Sequence, residues 1–310
     1  MKSNFSSYIS MTILILALAG VSPLAAQDQT GTEALLNTTV AIPASCPIVV
    51  RWVQPPMSHT AAEDARLRIP EMRFSVDANG RPWIGFDDRR IVSPANGFRA
   101  KTSTPFTGFV HLDNGAMIVS TVTKFGFLTA PAPTADTTAD LPVVPFQAIA
   151  QLPALYGRLF AGAGDTLFIA VSRPGGKNEL YRIKKGGLTK GFEKILEIEG
   201  EIAGVAGTDS QVFVAAGRRV YEVVPGTGQA TPLPALVPHP ITGVALHPRK
   251  GLLVSTTRGV GYLAGDTFQV LIETSLPMIC MRGGSLYVFF PASLGVAAFD
   301  NIATLADLHP

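Results

Sequence analysis

The amino-acid sequence predicts an exported, all-β protein whose single domain is a β-propeller of about six four-stranded blades. Three observations support this prediction: an apolar leader at the N-terminus, an internal repeat, and short apolar strands that recur every 34 to 50 residues. Because no catalytic, metal-binding or cofactor-binding motif stands out, the sequence indicates architecture and compartment more sharply than activity.

The first 26 residues have the order of a signal peptide. Lys2 precedes an apolar run over residues 9–21, and small residues follow up to Ala26. A retained membrane anchor is the competing interpretation, but a membrane span needs roughly 20 apolar residues and this run is shorter. We therefore expect cleavage before Gln27, a flexible mature terminus over residues 27–45, a secreted or periplasmic location, and no membrane span after cleavage.

The charge of the chain gives no indication of a polyanionic partner. There are 25 basic and 23 acidic residues, and the leader contains only Lys2 among them, so the mature chain is close to neutral. Nucleic-acid binding requires a strong basic excess or aromatic and arginine-rich motifs, and we expect no nucleic-acid partner. The high apolar content suits a large buried core, and residues 46–310 are within the length that a propeller reaches as one domain.

The two cysteines, Cys46 and Cys280, lie near opposite ends of the mature chain. In an oxidising compartment they can form a disulfide bond, which we predict here. Two inert buried thiols are the alternative. Two cysteines without a CxxC motif are too few for a structural zinc site.

An internal repeat is the strongest indication of the fold. Residues 106–128 align without a gap to residues 241–263. The identical pairs are Thr107/Thr242, Gly108/Gly243, Val119/Val254, Ser120/Ser255, Thr121/Thr256, Gly126/Gly261 and Leu128/Leu263. Paired glycines and a Ser-Thr step in one register indicate a structural unit that is used twice.

The same outline recurs at residues 72–86, 158–171, 202–216 and 278–290: an apolar strand, a Gly or Asn turn, and a second apolar strand. The matching second-strand positions are Trp83, Met117, Leu167, Val212, Leu252 and Leu286, which are 34, 50, 45, 40 and 34 residues apart. Such periods are typical of four-stranded propeller blades.

Two segments depart from the repeat. Residues 129–145 are rich in Pro, Ala and Thr, and we expect a surface excursion with few groups able to pack. The apolar run over residues 47–53 predicts an additional strand that closes the ring by pairing with the last blade. Closure of this kind removes the open sheet edges that otherwise invite aggregation.

The segment at residues 240–263 resembles the NHL-type repeat, through its Gly-apolar-apolar strand, Gly turn and apolar second strand, and more loosely the lactonase-like propellers. The resemblance covers residues 72 to about 305 as a repeat outline, with His247 in place of the usual acidic residue. It implies a rigid disc used for binding or, less often, for catalysis at its axis. Lactonase-like propellers hold a divalent metal through axial carboxylates and amides; Glu71 and Glu201 begin predicted inner strands here, but the asparagines fall in turns, so we predict no metal site.

No catalytic signature is present. The sequence has no GxSxG elbow, HExxH motif, calcium loop or P-loop, so we predict no catalytic residue, no cofactor, and a protein that is not an enzyme. His239 and His247 are interpreted as exposed loop residues. His111 falls late on an inner strand and can face the channel, but a structural or solvated role is favoured over catalysis.

A cation recurs in the hairpin after the second strand of five blades: Arg90, Lys124, Arg173, Arg219 and Arg258. Because equivalent hairpins open on one face of a propeller, we expect these side chains to form a basic rim that attracts an anionic ligand. Solubility is the alternative role of such residues.

The sequence therefore favours a binding or scaffold propeller that presents this face to a protein or an anionic glycan, as a monomer or as a subunit of an envelope complex. The alternative is a hydrolase or lyase that acts on lactones or glycans in the central pocket. Carboxylates around a metal-sized gap would favour the enzyme, and an axis lined by Ala, Gly and Val would favour binding.

Overall fold

The computed structural model describes residues 39–40, 48–55, 72–86, 89–93, 98–128, 141–183 and 191–304. Over these residues the protein is all-β, with strands in six sheets and short 3-10 turns at Ala163–Asp165 and at residues 302–304. The six sheets are the blades of a propeller, which confirms the predicted fold class. No helix within these ranges is long and apolar enough to cross a bilayer.

The strands are numbered in chain order, and β1 (Thr39–Val40) and β2 (Val49–Gln54) belong to the last two blades. Each blade is described from the axis outward. Blade 1 contains β3 (Arg73–Val76), β4 (Pro82–Gly85), β5 (Arg90–Ser93) and β6 (Phe98–Thr102). Blade 2 contains β7 (Gly108–His111), β8 (Met117–Ser120), β9 (Lys124–Leu128) and, after the short β10 (Val143–Val144), β11 (Phe146–Gln151).

The next three blades follow the same plan. Blade 3 contains β12 (Arg158–Ala161), β13 (Leu167–Ser172), β14 (Lys177–Ile183) and β15 (Glu193–Glu199). Blade 4 contains β16 (Ile202–Gly207), β17 (Val212–Ala216), β18 (Arg219–Val224) and β19 (Gln229–Pro232). Blade 5 contains β20 (Ile241–Leu246), β21 (Leu252–Thr256), β22 (Gly259–Ala264) and β23 (Thr267–Glu273).

Blade 6 is assembled from both ends of the described chain. It contains β24 (Met278–Arg282), β25 (Ser285–Phe290), β26 (Gly295–Asp300) and, outermost, β2. Val49 of β2 lies opposite Asp300, and Gln54 lies opposite Val296. The predicted closing strand at residues 47–53 is therefore confirmed.

The innermost strands of neighbouring blades lie side by side around the axis, and β24 of blade 6 contacts β3 of blade 1. Because every blade runs from its innermost to its outermost strand, all six inner strands begin at one face of the disc and end at the other. We call these the upper face and the lower face. The hairpins between second and third strands lie on the upper face.

The buried core is divided into six apolar clusters, one between each pair of adjacent blades. The second strands carry much of it, because their side chains pack against both neighbours. All six positions used to align the blades are at most 6% exposed: Trp83, Met117, Leu167, Val212, Leu252 and Leu286. The apolar repeat in the sequence is thus the repeat of the interblade core.

Two segments are more ordered than the sequence suggests. β1, within the segment expected to be flexible, pairs with β23 at the outer edge of blade 5. β10, within the expected surface excursion, adds a parallel strand to β6 of blade 1, and Val144 is only 1% exposed. Both are β-branched pairs of residues that extend an open sheet edge. Residues 129–140 of the excursion lie outside the described ranges.

The identities between blades 2 and 5 form the same hydrogen-bonded latch in each. Thr107 Oγ1 lies 2.9 Å from Ser120 Oγ, and Thr242 Oγ1 lies 3.0 Å from Ser255 Oγ. Each threonine hydroxyl also reaches the carbonyl that precedes the next blade's inner strand, at Gly157 and Pro277 respectively. The latch therefore ties one blade to the next.

The residue after each latch threonine is glycine because a side chain there would collide with the latch serine. A Cβ at Gly243 would lie 2.8 Å from Ser255 Oγ, and one at Gly108 would lie 3.4 Å from Ser120 Oγ. A larger residue would push the serine away from its threonine. The Thr-Gly identities and the serine of the Ser-Thr step are thus explained by packing between blades, whereas the following threonine bonds a carbonyl of its own hairpin, at Lys124 and Gly259 respectively.

Removing one latch hydroxyl is expected to weaken the fold modestly. Ser255→Ala leaves the half-buried Thr242 hydroxyl without this partner, so we expect the free energy of unfolding to fall by about 1 to 2 kcal/mol. Urea unfolding at constant m-value measures this. Thr267→Ala removes an exposed hydroxyl that bonds only Ala264 O, and it should change stability by less than about 0.5 kcal/mol. Equal effects of the two substitutions would contradict the latch.

Candidate active site

The six inner strands surround a central channel of about 830 Å³. Its middle is lined by apolar side chains, among them Phe74, Phe160, Ala203, Ile279 and Met281. Charged and polar side chains lie at the two mouths, where the inner strands begin and end. The channel is therefore an apolar passage between two polar rings.

At the upper mouth the charged groups are paired within the protein. Arg158 Nη1 donates to Glu201 Oε1 at 2.9 Å, and its guanidinium lies over the ring of Phe160. Arg73 Nε donates to Thr107 O at 2.9 Å. The upper mouth is thus held together by bonds between adjacent blades.

At the lower mouth a serine of blade 1 meets a histidine of blade 2. Ser75 Oγ lies 3.1 Å from Nδ1 of His111, and it also accepts the backbone N–H of His111 at 3.0 Å. Both residues line the channel, and both are buried. The pair exists because β3 and β7 are neighbouring inner strands.

The direction of the bond between Ser75 and His111 depends on the tautomer of the imidazole. The backbone N–H of His111 occupies one lone pair of Ser75 Oγ. When the ring carries its proton on Nε2, Nδ1 accepts from the Ser75 hydroxyl at 3.1 Å. This is the arrangement of a nucleophile and its general base.

Aromatic rings hold His111 in place. The ring of Trp83 lies 5.3 Å from the imidazole, and that of Phe109 lies 6.1 Å away, edge-on. Trp83 Nε1 donates to Asp77 Oδ2 at 3.2 Å, so a buried carboxylate fixes the indole that packs against the base. Asp77 orients His111 indirectly, through Trp83.

Asp77 is itself fixed by the turn that follows β3. It accepts the backbone N–H groups of Asn79 and Arg81, and the Arg81 side chain at 2.8 Å. Burial opposes ionisation of this carboxyl, but the hydrogen bonds from Arg81 and Trp83 outweigh it and lower its pKa. Asp77 is therefore a stable negative charge behind the site.

Arg282 of blade 6 joins the blades that carry the pair. Its guanidinium donates to Val76 O at 3.2 Å and to His111 O at 2.5 Å, and it pairs with the carboxylate of Asp113. Val76 directly follows Ser75 in β3. A fixed positive charge thus lies beside the serine and the histidine.

Burial keeps the imidazole of His111 neutral. Loss of hydration lowers its pKa to about 4; the charge of Asp77 opposes this shift, and those of Arg282 and Arg81 add to it. At neutral pH the ring is therefore uncharged, and one of its nitrogens has a lone pair that can accept a proton.

The structure corrects the interpretation of His247 as an exposed loop residue. His247 is buried, with Nε2 donating to Ile302 O at 2.9 Å and Nδ1 accepting the backbone N–H groups of Arg249 and Lys250. Its ring packs against Tyr262. Both nitrogens serve the fold, whereas His239 is exposed as predicted.

The predicted basic-rim residues lie in or beside the hairpins of the upper face, and their surroundings differ. Lys124, Arg219 and Arg258 are exposed. Arg173 Nε donates to Glu179 Oε2 at 2.6 Å, and Arg90 lies over the ring of Phe86. Anion binding by this rim stays a prediction.

The predicted disulfide bond also stays a prediction. Cys280 is half-buried on β24 and lines the channel, and burial raises the pKa of its thiol. Cys46 lies outside the described residues.

Known structures support the fold. The chain is similar to a luciferin-regenerating enzyme (16% identity, 82% of this chain and 95% of that one, TM-score 0.55). It is also similar to a gluconolactonase from Xanthomonas campestris (12%, 84% and 96%, TM-score 0.54). A third is a calcium-binding protein, regucalcin, from Agrobacterium tumefaciens (13%, 82% and 94%, TM-score 0.53). Comparison with protein-family models finds no match, and neither does comparison with curated proteins.

These likenesses confirm the resemblance to lactonase-like propellers at the level of the fold. They also contradict the prediction that the protein is not an enzyme, because two of the three structures are named for enzymatic activity. That prediction rested on the lack of a sequence motif. A pair such as Ser75 and His111 is assembled from two blades and leaves no motif.

The described part of the channel does not fit a calcium ion or another hard divalent cation. Such ions take six or more oxygen ligands, and no three His, Cys, Asp or Glu side chains among the described residues come together as ligands would. Asp113 and Glu201 lie at opposite mouths, each paired with an arginine. We derive no step of chemistry through a metal.

Proposed function

We propose that this chain is a hydrolase that opens a lactone or cleaves an ester in its central channel, with Ser75 as nucleophile and His111 as general base. The observation that carries the proposal is the 3.1 Å contact between Ser75 Oγ and His111 Nδ1 at the channel wall. The similar propellers named as enzymes support it through their shared fold.

The reaction follows from the hydrogen bond. Ser75 Oγ attacks the carbonyl carbon while its proton passes to His111 Nδ1. The carbon–oxygen bond of the ester or lactone then breaks, and the leaving alkoxide takes that proton. A water molecule attacks the acyl-serine, giving its proton to His111, and the acid leaves as Ser75 regains a proton from the imidazolium. No oxidant, reductant or second substrate besides water is needed.

Two neighbouring charges assist these steps. The guanidinium of Arg282 lies beside the strand of Ser75 and would stabilise the negative charge that develops on the carbonyl oxygen. Asp77 accepts the indole N–H of Trp83, and its charge would favour the imidazolium that forms transiently. The neutral resting state of His111 allows it to accept the first proton at ordinary pH.

Covalent labelling tests the nucleophile directly. A fluorophosphonate reacts with an activated serine by forming an oxygen–phosphorus bond and releasing fluoride. We expect one adduct, on the peptide that contains Ser75, and much slower labelling in His111→Gln. Peptide mapping by mass spectrometry measures both. Failure to label Ser75, or equal labelling of the buried Ser120, would contradict the proposal.

We propose that this reaction takes place outside the cytoplasm. The organisation of residues 1–26 supports that location, and these residues lie outside the described ranges.

A further inference from the structure

We infer that the substrate of this channel is an apolar lactone or ester with a hydrocarbon chain, and not a hydroxyl-rich sugar lactone. The inference rests on the proposed function, because it names the substrate class of the same site. It is based on the chemistry of the channel wall between the two mouths.

The partly exposed side chains of this wall are hydrocarbon or thioether, apart from the Cys280 thiol. Phe74 comes from blade 1, Phe160 from blade 3, Ala203 from blade 4, and Ile279 and Met281 from blade 6. A hydrocarbon chain in the channel would leave water on contact with each of them, which is favourable in proportion to the area buried. The wall thus favours ligands with apolar surface.

The polar groups that approach the channel from the upper mouth already have partners. The hydroxyls of Thr107 and Thr242 bond Ser120 and Ser255 in the latches. The Arg158 guanidinium bonds Glu201. Between the two mouths a sugar hydroxyl would meet the apolar side chains of the wall, and an unpaired buried hydroxyl is costly.

The size of the channel suits a ligand of moderate length. Its volume of about 830 Å³ lies within the range of cavities that enclose drug-sized molecules. Met278 and Met281 are on its wall, and methionine adapts its shape to irregular apolar ligands. A ring at the lower mouth, beside Ser75, leaves the rest of the channel for an alkyl tail.

Binding of two matched lactones tests the inference. We choose δ-undecalactone and δ-gluconolactone, which share a six-membered lactone ring but carry a hexyl tail and hydroxyl groups respectively. Calorimetry on Ser75→Ala measures binding without turnover. Each buried methylene contributes roughly fourfold in affinity, so we expect δ-undecalactone to bind at least about a hundredfold more tightly. Equal affinity, or preference for δ-gluconolactone, would overturn the inference.

A wall substitution provides a second measurement that does not depend on Ser75. Ile279→Thr keeps a β-branched side chain and adds a hydroxyl, so δ-undecalactone should bind roughly tenfold more weakly. Val224→Thr likewise replaces a β-branched aliphatic side chain by threonine, at an exposed position of blade 4, and binding should not change. Equal affinities for these two variants would contradict a role of the wall.

Turnover by the wild-type protein separates this inference from the proposed function. If δ-undecalactone binds tightly and neither lactone is hydrolysed, the proposed function fails and the ligand class is supported. If δ-gluconolactone is hydrolysed in preference, the ligand class is overturned and the proposed function stands.

Discussion

Ser75→Ala is expected to lower kcat for ester or lactone hydrolysis by at least about a thousandfold, with little change in KM. In the proposed mechanism this hydroxyl forms the acyl intermediate, and the substitution leaves the apolar wall of the channel unchanged. Steady-state hydrolysis of a chromogenic ester and of δ-undecalactone measures the effect. Unchanged circular dichroism and unfolding midpoint would show that the fold is retained.

Ser120→Ala is the matched control for this substitution. Ser120 is also buried, at the end of β8 in blade 2. Its hydroxyl bonds Thr107 and Gly157 O in the latch, and no histidine among the described residues bonds it. We expect a small loss of stability and nearly unchanged kcat. Equal kinetic losses in both variants would show that Ser75 acts only through the fold.

The proposed general base, His111, can be tested by substitution and by the pH dependence of hydrolysis. His111→Gln should lower kcat as strongly as Ser75→Ala, and the double variant should lose little more, because the two residues act as one unit. In the wild-type protein, kcat/KM should decline on acidification only near pH 4, where His111 becomes protonated. An acid limb near pH 6.5, typical of an exposed histidine, would indicate a different base.

The fold could be predicted from the sequence because its determinants are local. Each blade repeats an apolar second strand between turn residues, and Leu167 or Val212 is recognisable as core from its neighbours alone. The closing strand could be predicted in the same way, because the run at residues 47–53 is apolar and does not belong to any of the six repeats. The packing of Val144 against blade 1 could not be predicted, because it depends on where the long connection between β9 and β11 meets that blade.

The site could not be predicted because it depends on contacts between blades. Ser75 and His111 are 36 residues apart, about one blade period, and neither belongs to a motif. His111 and His247 look alike in the sequence, yet the ungapped repeat places His111 opposite Leu246 and His247 one position later. An offset of one residue in a strand turns a side chain to the opposite side, which is why one histidine meets Ser75 and the other meets Ile302.

Ring closure by β2 is expected to have the largest effect on stability. β2 covers the outer edge of β26, where Val296, Ala298 and Phe299 are buried. Trp52 lies 5.8 Å from Phe290, and Val50 and Val53 pack against the neighbouring clusters. Full burial of such a side chain contributes about 1.5 to 3 kcal/mol, and these three are partly buried. Their joint loss approaches the total stability of a typical domain, about 5 to 15 kcal/mol.

Two truncated chains isolate this contribution. A chain that begins at residue 48 keeps β2, and one that begins at residue 55 lacks it; both lack Cys46, so a disulfide bond cannot explain a difference between them. We expect the longer chain to unfold cooperatively on heating. The shorter one should aggregate or lose its cooperative transition, because β26 becomes an open apolar edge. A synthetic peptide of residues 48–55 should restore the transition by pairing with β26.

Point substitutions on one strand provide the finer control. Val50→Ala removes a side chain that packs against the core between blades 5 and 6, whereas Val49→Ala alters its neighbour, which is 54% exposed. We expect the first to lower the unfolding free energy by about 1 to 2 kcal/mol and the second by less than about 0.5 kcal/mol. If the chain that begins at residue 55 unfolds as cooperatively as the longer one, and the two valines are equivalent, then five blades and a three-stranded sixth are sufficient for the ring, and β2 has no closing role.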